Sequence, residues 1–456
     1  MRRIQQLSVI AALGVTLGSC GIYDKYHPVT EVPEQLFGTG VTPTDSASLG
    51  TLGWQEMFTD PQLADLIREG LERNTDYRTA QLKVKEAEAV LLSSKLAYLP
   101  SLALSPQGVV SSFDRSKAIQ TYTLPVTANW ELDLFGKLRN AKRQAQAALA
   151  QSQDYRQAVR TQLIAGIANT YYTLLMLDAQ VDIATETQTS WQESLASIQA
   201  LMQAGQANET AVAQIEAAYY AVCSATLDLK EQRNQVENTL ALLLARTPGP
   251  IGRGRIETQT LPATLSTGIP MELLSHRPDV RMAQRSVEQA FYATQAARSA
   301  FYPSITLSGT AGWSNSSGAL ISNPAKFLAS AVGSLTQPLF ARGQLAGQLK
   351  IAKAQQEEAR LGFEQTLLTA GTEVNEALEQ CQTAHAKAEL FERQIAALDK
   401  ACTASSLLMQ HGTATYLDVL TARQSLLEAR LTQVANRFSE LQGVVNLYHA
   451  LGGGTE

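Results

Sequence analysis

The chain has 456 residues, 45% of them hydrophobic, 17% charged and only 6% aromatic. That composition can bury a large core and excludes a disordered chain. A formal charge of -5 excludes the strong basic footprint of a nucleic-acid binder, and four cysteines are too few for a disulfide scaffold.

The N-terminus reads as an export leader. Arg2 and Arg3 are basic, Leu7 to Leu17 is an apolar run too short to span a bilayer, and Leu17-Gly18-Ser19-Cys20 closes it. This resembles the bacterial lipobox, so residues 1–19 are expected to be a lipoprotein signal peptide and Cys20 the lipid attachment site. Gly21, rather than Asp, resembles outer-membrane sorting. The alternative is an ordinary export signal with an incidental cysteine.

Further along, Asn74 and Asp76 predict a capped helix start. A strand pattern follows: Tyr122, Leu124, Val126, Ala128, Trp130, Leu132 and Leu134 share one face, with Thr, Asn, Glu and Asp on the other. Between Gly136 and Gly205 the only glycine is Gly166, which predicts a helix of some 64 residues. At 1.5 Å per residue it would be roughly 95 Å long. Arg277, Pro278 and Asp279 open another helix, and a second alternating strand follows Pro303. From Leu417 a heptad runs through Leu420, Gln424, Leu427, Leu431, Val434, Phe438, Leu441, Val445 and Tyr448.

All fifteen prolines lie at or before Pro338, leaving proline-free blocks at 126–247 and 339–456. A shift of 203 sets Asn74-Thr75-Asp76 on Arg277-Pro278-Asp279 and Leu99-Pro100-Ser101 on Tyr302-Pro303-Ser304. A shift of 207 sets Leu201-Met202-Gln203-Ala204-Gly205 on Leu408-Met409-Gln410-His411-Gly412. The chain therefore reads as one unit written twice: helix, strand, strand, long helix, turn, long helix.

Such strands fit either a soluble sheet with one wet face or an outer-membrane barrel with apolar residues toward lipid. Four strands cannot close a barrel, and open edges in lipid are prohibitive, so the barrel reading requires oligomerisation. Periodicity does not choose between two and three copies. The histidines show no metal-ligand spacing and no nucleophile or phosphate-loop motif stands out, so no enzyme is expected. Cys223, Cys381 and Cys402 fall in helix-like sequence, where free thiols are expected over a disulfide.

The chain resembles the TolC-like outer-membrane efflux proteins, in the lipoprotein branch that serves resistance–nodulation–division pumps. The resemblance is carried by Gly53-Trp54, Asp60-Pro61-Gln62-Leu63, Trp130-Glu131-Leu132-Asp133-Leu134-Phe135-Gly136, Arg277-Pro278-Asp279, Phe301-Tyr302-Pro303-Ser304-Ile305, Gln337-Pro338-Leu339-Phe340 and Tyr416-Leu417-Asp418-Val419-Leu420. It implies an α+β membrane protein: a long α-helical coiled-coil barrel continuous with a transmembrane β-barrel, four strands per chain and twelve in a homotrimer, with an internal two-fold sequence repeat. The implied organisation is a lipid-anchored and equatorial segment at 20–60, a first repeat at 61–247, an equatorial linker at 248–272 and a second repeat at 273–456.

The implied function is a passive exit duct in the outer membrane of a Gram-negative bacterium, extending into the periplasm. Its expected partners are a periplasmic adaptor (membrane fusion) protein, an inner-membrane resistance–nodulation–division transporter and outer-membrane lipid, with no nucleic acid. No cofactor is expected beyond the covalent lipid on Cys20. Leu417 and Asp418 match the family's periplasmic gate, although Thr421 stands where a second acid is common. The hairpin tips, Leu201, Met202, Gly205, Leu408, Met409 and Gly412, match its adaptor contacts. On the bland reading, Leu417 is a heptad core residue and Asp418 a solvated one. Lys137, Arg139, Lys142 and Arg143 are expected near inner-leaflet headgroups or, alternatively, on a solvated helix start. A rival to the duct is a lipid-anchored periplasmic coiled-coil scaffold without channel activity.

Overall fold

The computed structural model describes residues 24–28, 36, 49–114, 116, 118–260, 276–315, 327–411 and 413–454. Cys20 and Gly412 lie outside them. A short helix α1 (Trp54–Met57) leads to α2 (Pro61–Arg73) and α3 (Thr75–Leu96). Strands β1 (Ser101–Leu104), β2 (Gln107–Ser111) and β3 (Ile119–Leu132) precede α4 (Lys137–Gln203) and α5 (Glu209–Leu243). Then come α6 (Pro278–Ser299), β4 (Ser304–Asn315), β5 (Phe327–Thr336), α7 (Gln344–Gln410) and α8 (Tyr416–Ala450).

The element lengths come in pairs. Helices α3 and α6 both have 22 residues, α4 and α7 both have 67, and α5 and α8 both have 35. Their bounds are offset by 203 for the first pair and by 207 for the other two, the offsets of the sequence matches. Proline is absent from the interiors of the long helices, where it would cost about 3 kcal/mol.

The contacts divide the chain into two units. One comprises residues 1–30, 82–154 and 281–365; the other comprises 31–81, 155–280 and 366–456. Each half of the sequence contributes to both.

The first unit holds the sheet. β3 pairs antiparallel with β4, and β4 with β5. On its other side β3 pairs with β1 and, further along, with β2. One extended segment, broken at Ser105-Pro106, therefore occupies that flank. Within β3, Pro125 faces Gly312, where an added Cβ would lie 2.2 Å from the Leu124 carbonyl oxygen. Only glycine fits opposite that proline.

The second unit has a helical core. Leu63, Ile67, Ile167, Tyr171, Leu174, Leu240 and Leu441 are completely buried. Gly70 permits a close crossing, since an added Cβ would lie 2.4 Å from Ile167 Cδ1. Gly443 does the same against Cys381, with Sγ 2.8 Å from the added atom. An amide seam links α4, α8 and α7: Asn169 Nδ2 donates to Asn446 Oδ1 at 3.1 Å, and Asn446 Nδ2 donates to Gln380 Oε1 at 3.4 Å. Polar pairs of this kind fix helix register.

The heptad needs correction at its start. Leu417 and Gln424 are exposed, while Val419 and Ala429 are buried; only from Leu441 onward do the expected positions form the core. The heptad spacing follows the leucines, but the face of α8 that its neighbours cover in the isolated chain carries smaller side chains there, Val419 and Ala429. Cys223, Cys381 and Cys402 are free thiols. Among the described residues, no helix is long and apolar enough to cross a membrane.

Candidate functional site

The sheet sorts its side chains by face. In register with β4, Leu124 meets Trp313, Val126 meets Ala311, Trp130 meets Leu307 and Leu132 meets Ile305. On the opposite face Thr123 meets Ser314, Thr127 meets Thr310, Asn129 meets Ser308 and Glu131 meets Thr306. The pattern continues into β5, where Ser330 pairs with Thr310 and Ser334 with Thr306. The apolar face is uncovered: Trp313 is 50% exposed, Phe327 66% and Leu335 66%. The hydroxyl face is neutral apart from Glu131, which pairs with Lys137 at 2.8 Å. Trp130 directs its Nε1 to the Tyr98 carbonyl oxygen at 2.8 Å, so its one polar atom is satisfied while the ring stays out.

At the other candidate site, each long helix turns into its partner. After α4, Gly205 sits at φ +73° and the Gln206 N–H donates to the Leu201 carbonyl oxygen at 2.9 Å. This is the left-handed ending that favours glycine. Asn208 then caps α5 by accepting the Ala211 N–H at 2.8 Å. After α7, the Thr413 N–H returns to the Leu408 carbonyl oxygen at 2.9 Å, and Thr415 caps α8.

Asp418 belongs to that cap. Its Oδ2 accepts the Thr415 N–H at 2.8 Å and the Thr415 hydroxyl at 2.7 Å, closing a capping box. The Thr415 hydrogen bonds hold its carboxyl below the usual range. Leu417, 54% exposed, points away from the core, so it is not a heptad core residue in the isolated chain. The Thr415-x-x-Asp418 spacing is itself the sequence signature of such a cap.

The tip residues separate. Leu201 packs on the buried cluster of Trp191, Ile198, Val212 and Ile215, joined from α8 by Tyr416 and Leu420. Met202 and Leu408 are exposed, at 37% and 49%, and Met409 is half-buried. A cleft of about 720 Å³ separates the two tips, lined by Leu201, Asn208, Ala211, Met409, Thr415 and Leu417. Above it Arg423 of α8 donates through Nη1 to the hydroxyls of Ser194 and Ser190 on α4, a tie between the hairpins that no sequence signal announced.

Two polar nodes fix the helical unit. Asp60 Oδ2 accepts the Tyr171 hydroxyl at 2.6 Å and Gln259 Nε2 at 2.8 Å, while Tyr171 accepts the Gly254 N–H at 3.0 Å. Burial opposes the Asp60 charge, but those donors outweigh it and lower its pKa. At the second node Arg277 donates to Ala450 O at 2.9 Å, to both oxygens of Asp279 and to Glu373 at 2.7 Å. Burial works against its charge, yet the two carboxylates hold it firmly protonated. Burial, aided by Arg277, pushes His449 down beside it. Among the described residues no group of His, Cys, Asp and Glu could hold a metal.

Comparison with known proteins agrees with this architecture. The family described as Outer membrane efflux protein matches residues 66–246 and 269–453. The cation efflux system protein CusC of Escherichia coli O6:H1 is 29% identical over 450 residues, covering 97% of each chain. The probable outer membrane lipoprotein SilC of Salmonella typhimurium is 29% identical, covering 100% of this chain and 99% of its own. The open-state MtrE outer membrane channel of Neisseria gonorrhoeae superposes with a TM-score of 0.84 at 28% identity, covering 95% of this chain and 98% of that one.

Proposed function

The chain belongs to the outer membrane efflux protein family, and from that premise we propose how copies of it build a duct. The protein is an outer-membrane efflux channel, a passive conduit and not an enzyme. Three copies close one twelve-stranded barrel, each contributing four strand positions. The apolar face meets lipid and the Thr, Ser and Asn face lines water. The carrying observation is the sheet, with an uncovered apolar face, a hydroxyl face and two flanks, β5 and the β1–β2 segment, that find no second partner strand among the described residues. Lipid tolerates no such edges, so neighbouring copies supply the pairing.

The paired helix lengths support an internal two-fold repeat with boundaries near 61–247 and 273–456, flanked by equatorial segments at 20–60 and 248–272. After removal of residues 1–19, a lipid on Cys20 anchors the chain. Cargo enters from an inner-membrane resistance–nodulation–division transporter through a periplasmic adaptor seated on the hairpin tips, where Met202, Leu408 and Met409 offer apolar contact. Leu417 and Asp418 form the resting constriction, with Leu417 free to face a threefold axis because it is not spent on the core.

A Cys20→Ser form without its leader tests this reading. It is expected to purify in detergent with the mass of a trimer and to conduct ions across a planar bilayer. A detergent-free soluble monomer with no conductance would overturn it.

A further inference from the structure

Charge in the sheet unit is concentrated where strands meet helices. Four connecting stretches flank the strands at that end: 95–100, 133–143, 298–303 and 337–353. Together they hold nine cations and one acid, net +8 in a chain of net -5. Lys95 precedes β1 and Arg298 precedes β4. Lys137, Arg139, Lys142 and Arg143 follow β3. Arg342, Lys350 and Lys353 follow β5.

Local helix energetics disfavour this arrangement. The first turns of α4 and α7 contain no acidic residue, and the positive end of the α4 dipole instead meets Lys137 and Arg139. The single acid, Asp133, accepts the Arg139 backbone N–H at 2.7 Å. Lys142 lies over the Tyr98 ring at 5.8 Å and Arg143 over Tyr292 at 5.5 Å, while Lys95, Arg342, Lys350 and Lys353 are exposed and Lys137, also exposed, pairs with Glu131 at 2.8 Å. Beside this collar runs an apolar belt: Leu99 is 62% exposed, Leu134 52%, Leu339 94% and Phe340 86%.

We propose that this collar binds anionic phospholipid headgroups of the leaflet at the helix-bearing end of the barrel, the acyl chains lying on the adjoining apolar face. The proposal rests on the sheet spanning the membrane. A phosphodiester headgroup complements the side-chain cations. Continuity with the apolar belt and sheet face favours a lipid over a soluble acidic partner.

The test uses the full mature trimer in detergent, equilibrated with equal amounts of phosphatidylglycerol and phosphatidylcholine, with bound lipid counted by native mass spectrometry. Phosphatidylglycerol is expected to be retained in roughly fivefold excess at low salt, the excess falling as salt screens it. The quadruple variant Lys137→Gln, Lys142→Gln, Lys350→Gln, Lys353→Gln is expected to lose most of it. No excess in the wild type, an undiminished excess in the variant, or complete displacement by equimolar inorganic phosphate would each overturn the lipid assignment. Conductance in phosphatidylcholine bilayers, recorded for the same two proteins, separates the two readings. If both conduct without lipid preference, only the collar inference fails. If the wild type does not conduct at all, the duct reading fails with it.

Discussion

The two halves of the chain share their geometry but not their charge. At the start of α3, Asn74 Oδ1 accepts the Tyr77 N–H at 3.0 Å and Nδ2 donates to the Leu243 carbonyl oxygen at the end of α5, at 2.9 Å. At the start of α6, Arg277 stands in the equivalent place and reaches the Ala450 carbonyl oxygen at the end of α8, also at 2.9 Å. Leu243 and Ala450 are themselves equivalent at the 207 offset. The same helix-to-helix latch is thus made by a neutral amide in one half and by a buried guanidinium with two carboxylates in the other. A duplicated backbone can hold its shape with either chemistry, but only the second half makes this latch through charge.

Removing the latches should expose that difference. Arg277→Met leaves Asp279 and Glu373 without their cation and the Ala450 carbonyl without its donor, at an expected cost of about 3–5 kcal/mol. Asn74→Ala loses a cap and one neutral bond, at about 1–2 kcal/mol. Denaturant unfolding of the detergent-solubilised protein measures both. Equal losses would mean that the carboxylates are solvated well enough for the charge to be irrelevant.

Acid sharpens the same contrast. At the 207 offset His449 corresponds to Leu242, so only the second half carries a titrating group there. Its charged neighbours are Arg277, Glu373 and Asp279. Because burial and Arg277 depress its folded pKa, the unfolded chain takes up the proton first, and stability falls as pH drops below about 6.5. Asp279, also depressed despite its burial through its bonds to Arg277, adds a further loss only below about pH 4. Melting temperature is expected to fall between pH 7.5 and 5.5 in the wild type and to fall less in His449→Gln. Parallel curves would remove His449 from the account.

The sequence revealed whatever was periodic or local. The long helices, the alternating β3 and the cap at Asn74 were all readable, because each signal lies within a few residues of its consequence. The matched offsets even foreshadowed the paired lengths of 22, 67 and 35. The latches were not readable: Arg277 finds Glu373 96 positions away and Ala450 173 away, and Arg423 finds Ser194 229 away. The break at Ser105-Pro106 was hidden because both pieces share one partner strand. Leu417 keeps the heptad spacing yet lies outside the core, since spacing identifies a stripe without saying how much of it a single chain covers.

The two tips provide the finest comparison. One helix start is capped by neutral Asn208, the other by Thr415 together with ionised Asp418. If the Asp418 charge narrows the resting pore, Asp418→Asn and Asp418→Ala should both raise single-channel conductance, roughly twofold or more, as should Leu417→Ser. If the carboxylate matters only as a cap, Asn should behave like the wild type and Ala alone should change. At the first tip, where the capping side chain is neutral and Glu209 follows it, Gly205→Ala meets only the strain of φ +73°, about 1 kcal/mol. It should speed hydrogen exchange of the backbone amides over 201–208 and leave conductance untouched. A conductance change there would place gating on the first hairpin as well and dissolve the division of labour between the halves.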